Sequence, residues 1–294
     1  MLNADLVVSH IREAIGSQFL VGLDISNGPS ALKTYFDLTK QHPEHRDALL
    51  KYPLHSPGSV SAFNGAGVDY FLGGIWHANV IARALAKHAP DQSLDVLDFG
   101  CGAGRLLRYL LLFLPQHRYA GCDVNMASVD WLNETFAPAS FSAIHASPPS
   151  SYADASFDVV YGWSIFTHFN ERLHVAWLEE LWRITRPGGL VLVTVHNDAL
   201  VGRYGTEAKL VERMVARGAD YDAVTEEYRR TGFSYWRAYP EEARQNGIDI
   251  ETFGMAFISR DYVRREWSRL FEVVDFVADA DPKWQDLVVL RRPF

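Results

Sequence analysis

One short segment does most to limit what this chain can become. Leu94-Asp95-Val96-Leu97-Asp98-Phe99 reads as a buried strand, and Gly100-Cys101-Gly102-Ala103-Gly104 follows it at once. Leu106, Leu110, Phe113 and Leu114 then fall on one face of a helix that stops at Pro115. Tyr119-Ala120-Gly121-Cys122-Asp123 is a second short strand. The alternation continues with a helix near 127–135, strands near 141–146 and 157–161, a helix over 171–184 and the apolar run Leu190–Val195. Strands that alternate with helices of this length predict a mostly parallel sheet covered on both faces, a doubly wound α/β architecture.

The rest of the chain departs from that rhythm at both ends. The first 65 or so residues mix short helical patterns with turn signals such as Ser26-Asn27-Gly28-Pro29. Residues 197–255 are charged and helical (Glu207–Ala216, Tyr221–Arg230), then aromatic and irregular at Phe233-Ser234-Tyr235-Trp236. A helix over Asp261–Leu270 precedes two strands, Glu272–Val277 and Gln285–Arg291. The link between those strands is too short for a crossover helix, so they are expected to pair antiparallel. The organisation expected is a helical region or cap at 1–74, a cofactor-binding α/β core at 75–196, a helical insertion at 197–256, and 257–294 completing the core. The insertion reads equally as a lid or as the interface of a homodimer.

Composition narrows the partners. The 294 residues carry 28 Lys+Arg against 36 Asp+Glu, a net charge of −8, which disfavours nucleic acid. The longest purely apolar run, Leu110–Leu114, falls far short of the ~20 residues that span a bilayer. With no basic leader at Met1-Leu2-Asn3, a cytoplasmic protein without membrane contact is expected. Two cysteines exclude a disulfide framework. His42 and His45 have no further ligand cluster near them, so no metal is expected.

Three features fall at the C-terminal ends of strands, where open α/β sheets bind ligands. The glycine turn lets a ligand approach the backbone closely, and the N–H groups of the helix after it suit an anion. Asp123 lies 19 residues after Gly104, and its carboxylate can accept two hydrogen bonds from a ribose diol. Tyr161-Gly162-Trp163-Ser164 ends another strand, with Thr167 and His168 beyond it. A glycine turn followed by an acid fits a dinucleotide or another nucleoside ligand. The dinucleotide fingerprint would need a small residue where Arg105 stands, and no Gly-Lys-Ser/Thr follows to make a P-loop.

Val96-Leu97-Asp98-Phe99-Gly100-Cys101-Gly102-Ala103-Gly104-Arg105 resembles the first motif of class I S-adenosylmethionine-dependent methyltransferases. Phe157–Tyr161 with Ser164–His168 is similar to their fourth strand and its loop, and Leu181–Gly189 to the helix and turn before their fifth. The resemblance covers about 75–196 and 257–294. It implies seven strands in the order 3-2-1-4-5-7-6, the last antiparallel; the segments outside the resemblance are expected to fold over the sheet edge as a helical cap. It implies S-adenosylmethionine as cofactor, with Gly100, Cys101, Gly102 and Gly104 along its methionine and ribose, and Asp98 and Phe99 supporting the turn. Asp123 would hold the ribose hydroxyls, Val124 would pack on adenine, and Ala146 and Ser147 would take the adenine edge, although the acid usual there is missing. Tyr161 would offer its backbone carbonyl to the methionine amino group, and Tyr70 an aromatic ring near the carboxylate.

Methyl transfer needs an aligned nucleophile, exclusion of water and often removal of a proton. His168 is the candidate general base, or else a residue that starts the next helix. His196 is a candidate substrate ligand or base, or else a capping loop residue. Trp163 stacks on substrate or packs in the core, and Cys101 and Cys122 read as small buried residues. The activity expected is methyl transfer to oxygen or nitrogen of a small-molecule or glycan-like acceptor. A nicotinamide-dependent oxidoreductase and a non-catalytic cofactor-binding partner are the alternatives.

Overall fold

The computed structural model describes residues 68–136, 139–245, 248–281 and 284–294. His42, His45 and nearly all of the expected N-terminal cap lie outside these residues. The chain forms two compact units, one up to Ala143 and one over Ile144–Phe294.

The first unit contains α1 (Val68–His88), β1 (Asp95–Phe99), α2 (Leu107–Phe113), β2 (Arg118–Asp123), α3 (Met126–Thr135) and β3 (Ser140–Ala143). β1 pairs parallel with β2 from Asp95↔Arg118 to Phe99↔Cys122, and β2 pairs parallel with β3 from Ala120↔Ser140 to Asp123↔Ala143. Four consecutive residues of β1, Val96 to Phe99, are buried, as a strand covered on both faces requires. Asn125 stops the chain from running straight out of β2. Its side chain accepts the Ser128 N–H at 3.0 Å and starts α3.

The second unit begins with β4 (Phe157–Gly162), α4 (Glu171–Ile184) and β5 (Thr185–His196). α5 (Asp198–Tyr204), α6 (Ala208–Ala216), α7 (Tyr221–Thr231), β6 (Phe233–Trp236), α8 (Pro240–Gln245) and β7 (Met255–Ile258) follow. α9 (Arg260–Glu266), β8 (Glu272–Asp281) and β9 (Gln285–Arg291) close the chain. β5 lies parallel to β4, and β9 runs antiparallel along β5 from Leu190↔Arg291 to His196↔Gln285. β8 pairs antiparallel with β9, the hairpin that its short link demands. Each part of the expected order is present, 3-2-1 in the first unit and 4-5-7-6 in the second, with β8 and β9 as the expected sixth and seventh strands.

Two details differ from expectation. The described residues contain nine strands instead of seven, because β6 and β7 form an extra antiparallel pair within 197–258. The insertion is therefore mixed, not helical. Four residues are too few to display a period, and the partner of Phe233–Trp236 lies some twenty residues on, so only pairing reveals that its aromatic content suits a strand. β5 also starts at Thr185, directly after α4, and the Arg186-Pro187-Gly188-Gly189 turn lies within it.

The insertion buries an aromatic cluster around Phe257, which is fully enclosed. The rings of Trp236, Tyr204, His196 and Tyr228 have centroids 5.1, 5.4, 6.1 and 6.2 Å from it. Much of the chain's aromatic richness is thus core packing. A second cluster encloses His174, fully buried against Phe166, Phe233 and Trp267, with no hydrogen-bond partner for either ring nitrogen among the described residues. Burial lowers its pKa from 6.5 to about 3. The unfolded chain binds a proton here below 6.5 and the folded chain does not until far lower. Stability is therefore complete above 6.5 and is lost as pH falls toward 3. Denaturant titrations between pH 7 and pH 4.5 are expected to show this loss, and His174→Leu is expected to reduce it.

Candidate active site

The glycine turn is built from the end of β1. The N–H groups of Gly100 and Cys101 both donate to Cys122 O at the end of β2, at 2.8 and 3.0 Å. Gly102 and Gly104 take φ of +51° and +68°, the left-handed region that a side chain disfavours. A Cβ on Gly104 would come within 2.9 Å of Leu132, whereas one on Gly102 would meet no atom within 4 Å. The turn is closed on one side by α3 and open at Gly102.

Asp123 fixes that open face. Its Oδ2 accepts the Gly102 N–H at 2.7 Å and its Oδ1 the Asn125 N–H at 2.9 Å. Burial raises its pKa, and the N–H groups of Asn125, Gly102 and Val124 work against the rise. Three backbone N–H groups leave the carboxylate one of its roughly four acceptor sites for a hydroxyl donor. Asp98, Phe99, Gly100, Cys101, Gly102, Gly104, Asp123 and Val124 thus gather at the C-terminal ends of β1 and β2. Burial, then Asp123 and Asp98, push the Cys101 thiol well up, so it is no thiolate nucleophile. Tyr70 lies in α1, but its side chain is outside the described residues.

Arg108 escaped the sequence reading. Buried in the first turn of α2, it donates from Nε to Gly104 O at 3.1 Å and from an Nη to Ala103 O at 2.9 Å. Its guanidinium lies over the Phe136 ring at 5.3 Å. A cation among the leucines of an apolar helix was the available signal. Arg108→Met is expected to cost about 2 kcal/mol in a denaturant titration, because two carbonyls lose a charged donor.

In the second unit the residues expected beyond the fourth and fifth strands come together through the return of the insertion. Thr167 O accepts the Ala256 N–H at 2.9 Å, His168 O the Gly254 N–H at 2.8 Å, and Asn170 N–H donates to Thr252 O at 3.3 Å. This ladder positions two imidazoles. His168 Nδ1 is 2.8 Å from Gly254 O and His196 Nδ1 is 3.1 Å from Ala256 O. A carbonyl only accepts, so each Nδ1 carries the proton and each Nε2 the lone pair. Desolvation lowers His168 to about 4 and His196 to about 3, the latter with a contribution from His168. Both are neutral at pH 7.

Ser164 adopts φ +59°, unusual for a residue with a side chain, and two contacts hold it there. Its N–H donates to Thr194 Oγ1 at 2.7 Å, and Gln285 Nε2 donates to its hydroxyl at 2.9 Å. Asn197 caps α5 and donates to Asp286, which also accepts Arg260 at 2.6 Å. Of the other candidates, Tyr161 is fully buried within β4 and Trp163 is nearly so. Ala146 O accepts Trp177 Nε1 at 3.1 Å, while Ser147 is exposed.

Residues 96–189 match the family model of the methyltransferase domain. Among solved structures, a methyltransferase from Methanosarcina mazei is similar with TM-score 0.51 and 16% identity, over 72% of this chain and 97% of that one. A Pyrococcus horikoshii protein is similar with TM-score 0.50 and 15% identity, over 84% and 98% of the two chains. The Burkholderia thailandensis 1,6-didemethyltoxoflavin-N1-methyltransferase, solved with S-adenosylhomocysteine, gives TM-score 0.47 and 14% identity over 74% and 77%. The match to a methyltransferase domain covers residues 96–189, and the likeness to the Methanosarcina mazei structure is one of fold. That match favours the methyltransferase reading over the nicotinamide one. Among the described residues no helix is long and apolar enough to cross a membrane.

Proposed function

We propose that this protein transfers a methyl group from S-adenosylmethionine to an oxygen or nitrogen of a small-molecule acceptor, glycan-like acceptors included. The observation that carries this reading is the open glycine turn with its N–H held by Asp123. When bound, S-adenosylmethionine supplies a methyl group made electrophilic by its sulfonium sulfur. The backbone from Gly100 to Gly104, with Asp98 and Phe99 behind it, would bind the methionine and ribose. Asp123 would accept a ribose hydroxyl, Val124 would pack on adenine, Ala146 and Ser147 would border it, and the Tyr161 carbonyl would take the amino group.

His168 is our candidate to receive the acceptor's proton, at Nε2. A desolvated imidazole is a weak base, but weakness suffices here, since a hydroxyl or amine turns strongly acidic as it gains a methyl group. His196 would orient the acceptor beside it, with Trp163 as a further contact. We read 75–196 and 257–294 as the catalytic core and 197–256 as a lid that excludes water. Its packing of aromatics on Phe257 of the core supports this over a dimer interface. We place the enzyme in the cytoplasm, where its two free, buried cysteines stay reduced.

Calorimetry tests the cofactor assignment. S-adenosylmethionine and S-adenosylhomocysteine are expected to bind, and Asp123→Ala to weaken both by about tenfold or more. An unchanged affinity in the variant would remove Asp123 from the site. With an acceptor in hand, His168→Ala is expected to lower kcat by about a hundredfold or more while cofactor affinity holds. A loss under about threefold would end the base assignment. The pH profile of kcat is expected to show no inflection near 6.5, since His168 titrates at about 4.

A further inference from the structure

The second unit contains an open-mouthed pocket of about 90 Å³ that the methyltransferase motifs do not explain. Tyr204, Trp236, Tyr239 and Trp284 wall it, and Arg213 and Arg217 reach it from one side. Every one of these residues lies in the insertion or at the start of β9, outside residues 96–189 that match the methyltransferase domain.

Its chemistry is specific. Arg213 and Arg217 stand four residues apart and so share a face of α6 and its C-terminal cap. Both are exposed, and neither forms an ion pair among the described residues, in contrast to Arg203, which binds Glu207 at 2.7 Å. Arg217 lies over the Tyr239 ring at 4.7 Å and keeps its plane against the aromatic wall. Both cations act on the hydroxyls of Tyr204 and Tyr239, and Glu242 opposes them at Tyr239. Trp236 Nε1 is buried without an acceptor among the described residues. Aromatic walls would suit a cation, but two guanidiniums repel one. A flat ring bearing an anionic group fits both features.

The pocket also adjoins the imidazoles. Tyr239 packs against His168 with centroids 5.5 Å apart. Met255, another lining residue, stands between Gly254 and Ala256, whose carbonyls hold His168 and His196.

Resting on the methyl-transfer reading, we propose that this pocket selects the acceptor and that the acceptor is a planar aromatic acid. Its ring stacks among the four aromatics, its carboxylate pairs with Arg213 and Arg217, and its hydroxyl or amine lies at the Tyr239 wall, on the side of His168.

The test uses three probes on the full chain by calorimetry or ligand-observed NMR: 4-hydroxybenzoate, its neutral isostere 4-hydroxybenzamide, and glucuronate as a non-aromatic acid. The benzoate is expected to bind about tenfold tighter than either of the others. An Arg213→Gln, Arg217→Gln double variant, altered only at exposed positions, is expected to lose about tenfold for the benzoate and under twofold for the amide. Tyr239→Leu is expected to weaken both aromatic probes. Equal affinity for benzoate and amide, tighter binding of glucuronate, an unaffected double variant, or no benzoate binding would each overturn the proposal. S-adenosylmethionine binding on the same samples separates the two readings. If the cofactor binds and the benzoate does not, the acceptor proposal alone fails. If the benzoate binds and the cofactor does not, the methyl-transfer reading fails instead.

Discussion

The antiparallel ladder between residues 167–170 and 252–256 is the contact on which the second unit's site depends. A loop after a parallel strand has few partners of its own, and its backbone groups need acceptors and donors. The insertion returns along this loop and supplies them. In the same pass its carbonyls at Gly254 and Ala256 set the tautomers of His168 and His196. It also delivers Met255 and, through the Phe253 and Tyr239 rings, the wall against His168. Without this ladder the two imidazoles would be ordinary strand-end residues with no fixed orientation.

The first unit solves a different problem in a comparable way. A turn with three glycines is costly in conformational entropy and has little side-chain packing of its own. It is held by groups from three directions: Cys122 O at its start, Asp123 at Gly102, and Arg108 on the carbonyls of Ala103 and Gly104. Asp123 is thus a structural acceptor for the turn and a candidate ligand for a ribose. The two roles are compatible because a carboxylate offers about four acceptor sites and the backbone uses three.

The sheet and its turn were legible because they are written in local pattern. Apolar runs of strand length, a 3.6-residue period and glycines at the junction need no information from distant residues. The same holds for the β8–β9 hairpin, which follows from the length of its link. The β6–β7 pair was not legible, since its strands are four residues each and recognise one another across about twenty residues. Arg108 was missed for a related reason. An arginine in a helix is ordinary until the fold buries it beneath a turn.

The chain by itself determined the α/β order, the glycine turn with its acid at 123, and the presence of histidines at the ends of two strands, because strand, turn and helix preferences act over neighbouring residues. Only the tertiary structure decided which nitrogen of His168 and His196 carries the proton, that Ser164 is held at positive φ, and that four aromatics and two arginines scattered from 204 to 284 line one pocket. Those outcomes depend on which backbone carbonyl or ring ends up within reach. Reach is set by the packing of segments far apart in sequence, and no local preference encodes it.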